Sequence, residues 1–377
     1  MPMVALFWFS VCAVLYAYFG YPLMLLLIIL CRKQEVKVGD RFFPSVAIII
    51  TAHNESKRIE KKLQNTLQIE YPKDRLDIIV ASDASSDTTD QIVTAHSDKG
   101  IHLVRSPYRG GKEFAQRCAI EQSSSEIIVF TDVATMLERD GIKKIVSNFA
   151  DPSIGCVSSQ DRFIDEQGQI SGEGAYVRYE MWLRSLETKV HSVVGLSGSF
   201  FAARRQICRD WPTDIPSDFS TLLNAIRADF RGISDPRSIG MYPNIQDERR
   251  EFERKVRTIT RGISALMAHK ALLNPFRYGL FSWQIFSHKL MRWLVPWFLI
   301  LAFISNFALA TGSHFYRLLF IPHIGFYVLA IAGSRLSATN TSLKVPSYFM
   351  RTNCAIAISW IKYIKGDRFV TWTPSTR

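Results

Sequence analysis

No two of the six cysteines form a C-x-x-C pair, and none has a histidine at zinc-ligand spacing. The chain therefore offers neither a dithiol redox motif nor a structural zinc site, and free thiols in a reducing compartment account for its cysteines. Acidic residues are scarce: 34 Asp and Glu stand against 46 Lys and Arg, a formal net charge of +12. That balance suits an anionic membrane leaflet or a phosphate-bearing ligand. It does not indicate nucleic acid, because the basic residues are spread along the chain and no nucleic-acid motif occurs. A Walker A loop is missing too. Lys112 follows two glycines in "YRGGKEFA", but the motif's first glycine would fall on Ser106, and Glu113 replaces its Ser or Thr. Internal repeats and low-complexity linkers are absent, and residues 33–40 form the one polar hinge near the N-terminus.

What the chain has in quantity is apolar sequence at its two ends. Met3 to Leu30 carries no charge over about 28 residues, more than the roughly 20 a membrane-spanning helix needs. No basic leader precedes it and no small-residue cleavage site follows, so an uncleaved anchor is expected, kinked near Gly20 and Pro22. Arg32 and Lys33 come next, which places the following segment on the cytoplasmic side of the inner (plasma) membrane. Trp293–Ala310 and Leu318–Gly333 read as a second and third span, flanked by Lys289, Arg292 and Arg335; Arg317 between them dissents from that orientation. Residues 271–290 mix aromatics with scattered basic residues, as expected of a helix at headgroup level, with a helix packed on the cytoplasmic domain as the rival reading; residues 345–361, interrupted by Arg351 and Asn353, read as an interfacial or re-entrant helix in preference to a further span. The expected organisation is an anchor (1–34), a cytoplasmic domain (35–270), an interfacial helix (271–289), a transmembrane pair (290–335), and an interfacial segment with a cytoplasmic tail (336–377).

The middle alternates strand and helix patterns. "SVAIIIT" (45–51) is a continuous β-branched run, the signature of a strand covered on both faces. Ile59, Leu63 and Leu67 then recur every four residues on one helical face, and further strands are predicted at 75–82, 101–106 and 126–132. The succession predicts an α/β doubly wound domain that binds ligand beyond the carboxyl ends of its strands. Asp83 and Asp132 sit at the ends of the second and fourth strands. Two carboxylates at one sheet edge repel unless a cation separates them, and a divalent ion on a diphosphate supplies it. Asp87 and its hydroxyl neighbours read as turn formers and helix caps, with ligand contact as the alternative.

"AIIITAHNES", "IIVASDASSDTT", "GGKEFA", "VFTDVATML", "GLSGSFFAARR" and "IPSDF" follow one another in the order and spacing of the family 2 glycosyltransferases. Residues 42–265 resemble that membrane-anchored family, in the branch of the polysaccharide synthases. The resemblance implies a GT-A nucleotide-sugar fold, with Glu55 and Asp83 holding the nucleoside, Asp132 opening the metal-binding acidic motif for Mg2+ or Mn2+, and Asp218 as catalytic base. Lys112 is expected near the donor phosphates, with a surface lysine at a helix start as the alternative. Gly195 and Gly198 are expected to let backbone approach a sugar, with a plain tight turn as the rival reading.

Two departures from the family's pattern matter. Ala134 stands where a second carboxylate or an amide is usual, so metal binding rests on Asp132, diphosphate oxygens and water. The Q-x-x-R-W element is missing, and "ERREFERKVRTITRG" stands in its region. On a helix Arg250, Arg254, Arg257 and Arg261 make one basic stripe, read as a diphosphate clamp that includes Arg254 and Arg257, or else as a solvated or headgroup-facing surface. Tyr176, Tyr179, Trp182 and Leu186 recur at helical spacing, as a packing face or a wall for the acceptor sugar, while Trp372 and Arg377 close a W-x-P tail.

The expected activity is inverting transfer from a nucleotide-diphosphate sugar, UDP-linked, to a membrane-associated glycan acceptor in extracellular polysaccharide synthesis, with a homo-oligomer or partner for export. Polyprenyl phosphate or a lipid-linked sugar is the alternative acceptor. A catalytically silent nucleotide-sugar-binding scaffold is the alternative of another class.

Overall fold

Seven consecutive residues, Val46–Ala52 (β1), are buried on both faces, as the unbroken apolar run requires. Ile48, Ile49 and Ile50 are fully shielded, and each contributes about 2 kcal/mol to the core. The computed structural model describes residues 1–164, 175–243, 247–335, 341–367 and 369; Trp372 and Arg377 lie outside that set.

The sequence-predicted strands are present: Leu76–Ser82 (β2), Ile101–Arg105 (β3) and Ile127–Asp132 (β4). β1 pairs in parallel with both β2 and β4, and β3 pairs in parallel with β2. The helix Ile59–Leu67 buries Ile59 and Leu63 against the sheet, as its spacing predicts.

Beyond β4 the sheet becomes mixed, a feature absent from the strand pattern read in the sequence. Met136–Leu137 (β5), Ile154–Ile164 (β6), Phe200–Arg204 (β7) and Arg231–Pro243 (β8) complete an eight-stranded sheet among the described residues, in the order β3-β2-β1-β4-β7-β6-β8-β5. β7 runs antiparallel to β4 and β6, β8 runs parallel to β6, and β5 pairs antiparallel with β8. The topology brings the turn before β7 alongside the end of β4, where the backbone N–H of Asp132 donates to the carbonyl of Ser199 at 3.1 Å.

The chain forms two compact units. One holds this sheet and spans Leu27–Gln246 and Ser264–Gln284; the other gathers Met1–Leu26, Asp247–Ile263 and Ile285–Asp367. Three helices among the described residues are long and apolar enough to cross a membrane: Pro2–Cys31, Pro275–Ala310 and His314–Arg335. The segment expected as a separate interfacial helix instead runs on into the second of these, bent at Gly279, whose φ of 51° lies in the left-handed region. Thr341–Ile364 is a single helix that is not one of the three. Two π-helical turns, Tyr16–Gly20 and Phe286–Leu290, lie in the second unit and meet through Tyr16 Oη and Ser287 Oγ at 2.7 Å. Beside them Arg292 is buried, within 3.1 Å of His288 Nε2 and above the Tyr18 ring.

Candidate active site

The loops after β1 and β2 are knitted together at the carboxyl edge of the sheet. Asn54 and Ala84 both adopt positive φ, 52° and 47°, a conformation that non-glycine residues keep only where their surroundings over-determine it. Asn54 Oδ1 accepts from the Ser86 N–H at 2.8 Å, and the backbone N–H of Glu55 donates to Thr89 Oγ1 at 2.8 Å. Asp87 accepts from the backbone N–H groups of Ser56 and Thr89 and from the Thr89 hydroxyl. Burial opposes its charge, but those hydrogen bonds outweigh burial and bring its pKa down to about 2. Asp87 thus ties together the turns at Ser56 and Thr89, the turn-forming role read for it in the sequence, while the N-cap of the helix Thr89–Thr94 is Thr88.

Asp83 is fully buried. Its Oδ1 accepts from the Gly110 N–H at 2.8 Å, and both of its oxygens accept from the Gly111 N–H at 3.1 Å. The carboxylate therefore fixes the glycine pair that opens the helix Lys112–Gln122, where Gly111 takes φ 97°. A residue other than glycine is strained there, and a Cβ on Gly110 would lie 2.4 Å from the Phe114 ring.

The fixed loop delivers Lys112. Its Nζ donates to Asp132 Oδ1 at 2.5 Å and to the Gly198 carbonyl at 2.9 Å. Burial disfavours the ammonium, but Asp132, Glu113 and Asp218 outweigh it and raise its pKa, so Lys112 is a permanent cation. On the far side of Gly198, a Cβ built at that position would lie 3.3 Å from Asp218 Oδ2, so the missing side chain leaves room for the carboxylate. Asp218 occupies the first turn of the helix Ser217–Arg227, whose Ser217 N–H donates to Glu113 Oε1 at 3.4 Å. Asp83, Lys112, Asp132, Gly198 and Asp218 thus form one contiguous set. Gly195 sits half-exposed in the same loop as Gly198.

Glu55 is buried and paired with Arg58, Nε to Oε2 at 2.7 Å; burial raises its pKa against the pull of the guanidinium. Arg254 and Arg257 belong to the other unit. In the helix Ala175–Val190, Leu186 is buried while Trp182 is 42% exposed.

Sequence reasoning missed two residues. Glu113 ties the lysine helix to the helix carrying Asp218. Lys62 is fully buried beneath the end of β4, with Nζ donating to Thr131 Oγ1 at 3.1 Å and to the Thr135 carbonyl at 2.5 Å. Burial brings its pKa down to about 7, against the attraction of Asp132. A lysine on the apolar side of an amphipathic helix was the available signal.

A divalent cation fits Asp132 as a single protein oxygen. The side chain is 40% exposed, Oδ1 is held by Lys112, and Oδ2 has no protein partner among the described residues. No group of three or more His, Cys, Asp or Glu gathers there among the described residues, so a bound ion would have to take its other ligands from diphosphate oxygens and water, as Mg2+ and Mn2+ accept.

Residues 47–211 match the family model described as glycosyl transferase family 2. The chain contains a family 2 glycosyltransferase domain. The poly-β-1,6-N-acetyl-D-glucosamine synthase of Staphylococcus aureus is 26% identical over 192 residues, 49% of this chain and 45% of that protein. The probable glycosyltransferase YdaM of Bacillus subtilis is 28% identical over 173 residues, 44% of this chain and 41% of that one. The chain thus spans less than half the length of these curated relatives. Among solved structures, the mannosyltransferase PcManGT of Pyrobaculum calidifontis, in complex with GDP-mannose and Mn2+, has a TM-score of 0.73 at 22% identity, over 96% of this chain and 99% of that one. That likeness extends the GT-A fold of the glycosyltransferase domain to the flanking helices.

Proposed function

We propose that the protein is an inverting glycosyltransferase that moves a sugar from a nucleotide-diphosphate donor, UDP-linked, to a membrane-associated glycan acceptor in extracellular polysaccharide synthesis. The observation that carries this reading is the contiguous set in which Lys112 bridges Asp132 and the Gly198 carbonyl, with Asp218 directly behind Gly198. The names of the Staphylococcus and Bacillus relatives and the nucleotide sugar in the Pyrobaculum structure support it.

Asp218 takes the proton of the acceptor hydroxyl as that oxygen attacks the anomeric carbon and the bond to the nucleoside diphosphate breaks; general-base help of this kind is worth about a hundred- to ten-thousand-fold. Lys112 meets the charge on the leaving diphosphate. Asp132 is the residue that would hold Mg2+ or Mn2+, and such an ion would supply further neutralisation of that charge. Asp83 acts through the glycine loop, keeping Lys112 aimed, in addition to the nucleoside contact that the family pattern assigns to it and to Glu55. Gly195 and Gly198 keep the floor of the cleft at backbone height, and Trp182 offers a ring face to the acceptor sugar. Arg254 and Arg257 remain candidates for the diphosphate. The three apolar helices fix the protein in the inner (plasma) membrane with this domain on the cytoplasmic side.

The test uses membranes containing the full chain, a panel of nucleotide sugars and Mn2+. Release of nucleoside diphosphate that falls at least a hundredfold in Asp218→Asn supports the enzyme and names the donor. Donor binding without release in the unaltered chain overturns it in favour of a silent scaffold.

A further inference from the structure

The turn Ser197–Gly198–Ser199 joins the groups of the active site. The Ser199 carbonyl accepts from the Asp132 N–H at 3.1 Å, the Gly198 carbonyl accepts from Lys112 Nζ at 2.9 Å, and a Cβ on Gly198 would meet Asp218. Its two serine hydroxyls turn instead to Asp161, a carboxylate that no sequence motif singled out. Ser197 Oγ donates to Asp161 Oδ1 at 2.5 Å, and Ser199 Oγ donates to the same oxygen at 2.7 Å. Ser197 is 2% exposed and its N–H donates to Ser158 Oγ at 2.8 Å, which anchors the turn on β6. β7 runs antiparallel to both β4 and β6, so β4 and β6 point the same way, and Asp161, near the end of β6, lies at the same edge of the sheet as Asp132. One strand, β7, separates them. At about 4.8 Å between neighbouring strands, β4 and β6 are roughly 10 Å apart.

Asp161 is half-buried, and no cation lies within ion-pair distance of it among the described residues. Asp132, by contrast, is met by Lys112 at 2.5 Å. Two neutral hydroxyls meet Asp161 Oδ1, while Oδ2 has no protein partner among the described residues. A carboxylate drawn partly out of water keeps its charge at a cost unless its oxygens accept hydrogen bonds, so Oδ2 calls for a donor. It repels a phosphate and welcomes a hydroxyl, whose hydrogen bond to an ionised oxygen is about twice as strong as one between neutral groups. A sugar supplies such hydroxyls. With Lys112 and Asp132 at the diphosphate, the roughly 10 Å from β4 to β6 is a span that one phosphate and one sugar ring cover, and the ring attached to that phosphate is the donor's.

We propose that Asp161 sets specificity for the donor sugar, Oδ2 accepting a hydrogen bond from a ring hydroxyl on the side away from the diphosphate while Ser197 and Ser199 hold Oδ1 in place. A sugar without that hydroxyl leaves the oxygen unmet, which is how a polar pocket rejects a deoxy analogue. This deepens the proposed function, and it rests on the reading of Lys112 and Asp132 as the diphosphate end of the cleft.

The test measures binding to the full chain in phosphatidylcholine nanodiscs with Mn2+, setting UDP-N-acetylglucosamine, UDP-glucose and GDP-mannose each beside its own nucleoside diphosphate. Asp161→Asn keeps an oxygen for the two serines and puts an amide, which donates, where Oδ2 stood. For the nucleotide sugar that wild type binds most tightly relative to its diphosphate, the variant should bind about tenfold more weakly, the loss expected of a hydrogen bond to a charged group. Its affinity for UDP or GDP alone should stay within about twofold. Analogues of that nucleotide sugar lacking the hydroxyl at C3, C4 or C6 supply a second arm: one of them should lose about tenfold in wild type and nothing further in Asp161→Asn. A parallel fall in nucleoside diphosphate affinity, which a merely structural role in the turn produces, overturns the proposal. So do losses that add instead of merging, wild-type binding no tighter for any nucleotide sugar than for its diphosphate, and unchanged donor binding with a raised KM for the acceptor. Should Asp161→Asn fail to fold, equal binding of all the deoxy analogues by wild type overturns it as well. Nucleoside diphosphate release with sugar binding indifferent to Asp161 sinks this inference alone, whereas Asp161-dependent sugar binding with no release under any donor sinks the transferase reading alone.

Discussion

Replacing Lys62 by methionine removes a fully buried amine beneath the end of β4 and leaves the Thr131 hydroxyl and Thr135 carbonyl without their donor. In the unfolded chain this lysine keeps its proton to about pH 10.5, and in the folded protein it gives it up above about 7. Between those values the unfolded state binds more protons, so the lysine's contribution to stability rises as pH rises. At about 1.4 kcal/mol per pH unit, the gap between 10.5 and about 7 is worth roughly 5 kcal/mol in full. Half-titration near pH 7 trims the part that falls between pH 7 and 9 to about 2 kcal/mol. Methionine does not titrate, so the stability of wild type relative to Lys62→Met should climb by that amount over the window, about 4–8 °C in the difference between melting temperatures. The measurement is paired melting of the detergent-solubilised full chain from pH 7 to pH 9. Groups common to both proteins cancel in the difference. A constant offset across the window would show that Lys62 is not held charged at the cost its burial implies. Loss of the Thr135 anchor should also loosen the Asp132–Thr135 turn, and activity should fall in the variant at every pH.

Asp83→Ala strips the glycine loop of its acceptor and should cost about 3 kcal/mol, seen as a melting temperature lower by roughly 6–12 °C, together with a fall in kcat as Lys112 loses its aim. Gly198→Ala places a methyl group 3.3 Å from Asp218 Oδ2 and should lower turnover about tenfold while moving the melting temperature little; unchanged turnover would separate Asp218 from the reacting centre. Chelation with EDTA should suppress nucleoside diphosphate release and Mn2+ should restore it in wild type but not in Asp132→Ala, where restoration would point to other ligands. Asp87→Asn should destabilise the protein above pH 4, with the difference shrinking as pH falls toward about 2, because the native carboxylate keeps its hydrogen bonds only while ionised.

By itself the sequence determined the parallel half of the sheet and the apolar ends. Val46–Ala52 is apolar without a break, so only a site covered on both faces suits it, and charge-free runs near 20 residues suit only a bilayer or an equally apolar surround. Those are local properties, written in period and length. It also marked Asp83 and Asp132 as chemistry-bearing, because two carboxylates at the ends of parallel strands face the ligand edge of the sheet, while Asp218 stood out only through the resemblance to the family 2 glycosyltransferases. Tertiary structure alone decided what each carboxylate touches. Asp83 turned out to be fully buried on the Gly110 and Gly111 amides, contacts 27 and 28 residues away in sequence, and Lys112 reached Gly198 across 86 residues. The antiparallel strand β7 followed the same logic: its pairing with β4 on one side and β6 on the other depends on partners far along the chain, and periodicity reports only near neighbours. Lys62 shows the limit most plainly, since a lysine on a helix is an ordinary surface residue until the fold closes over it and makes its charge a cost.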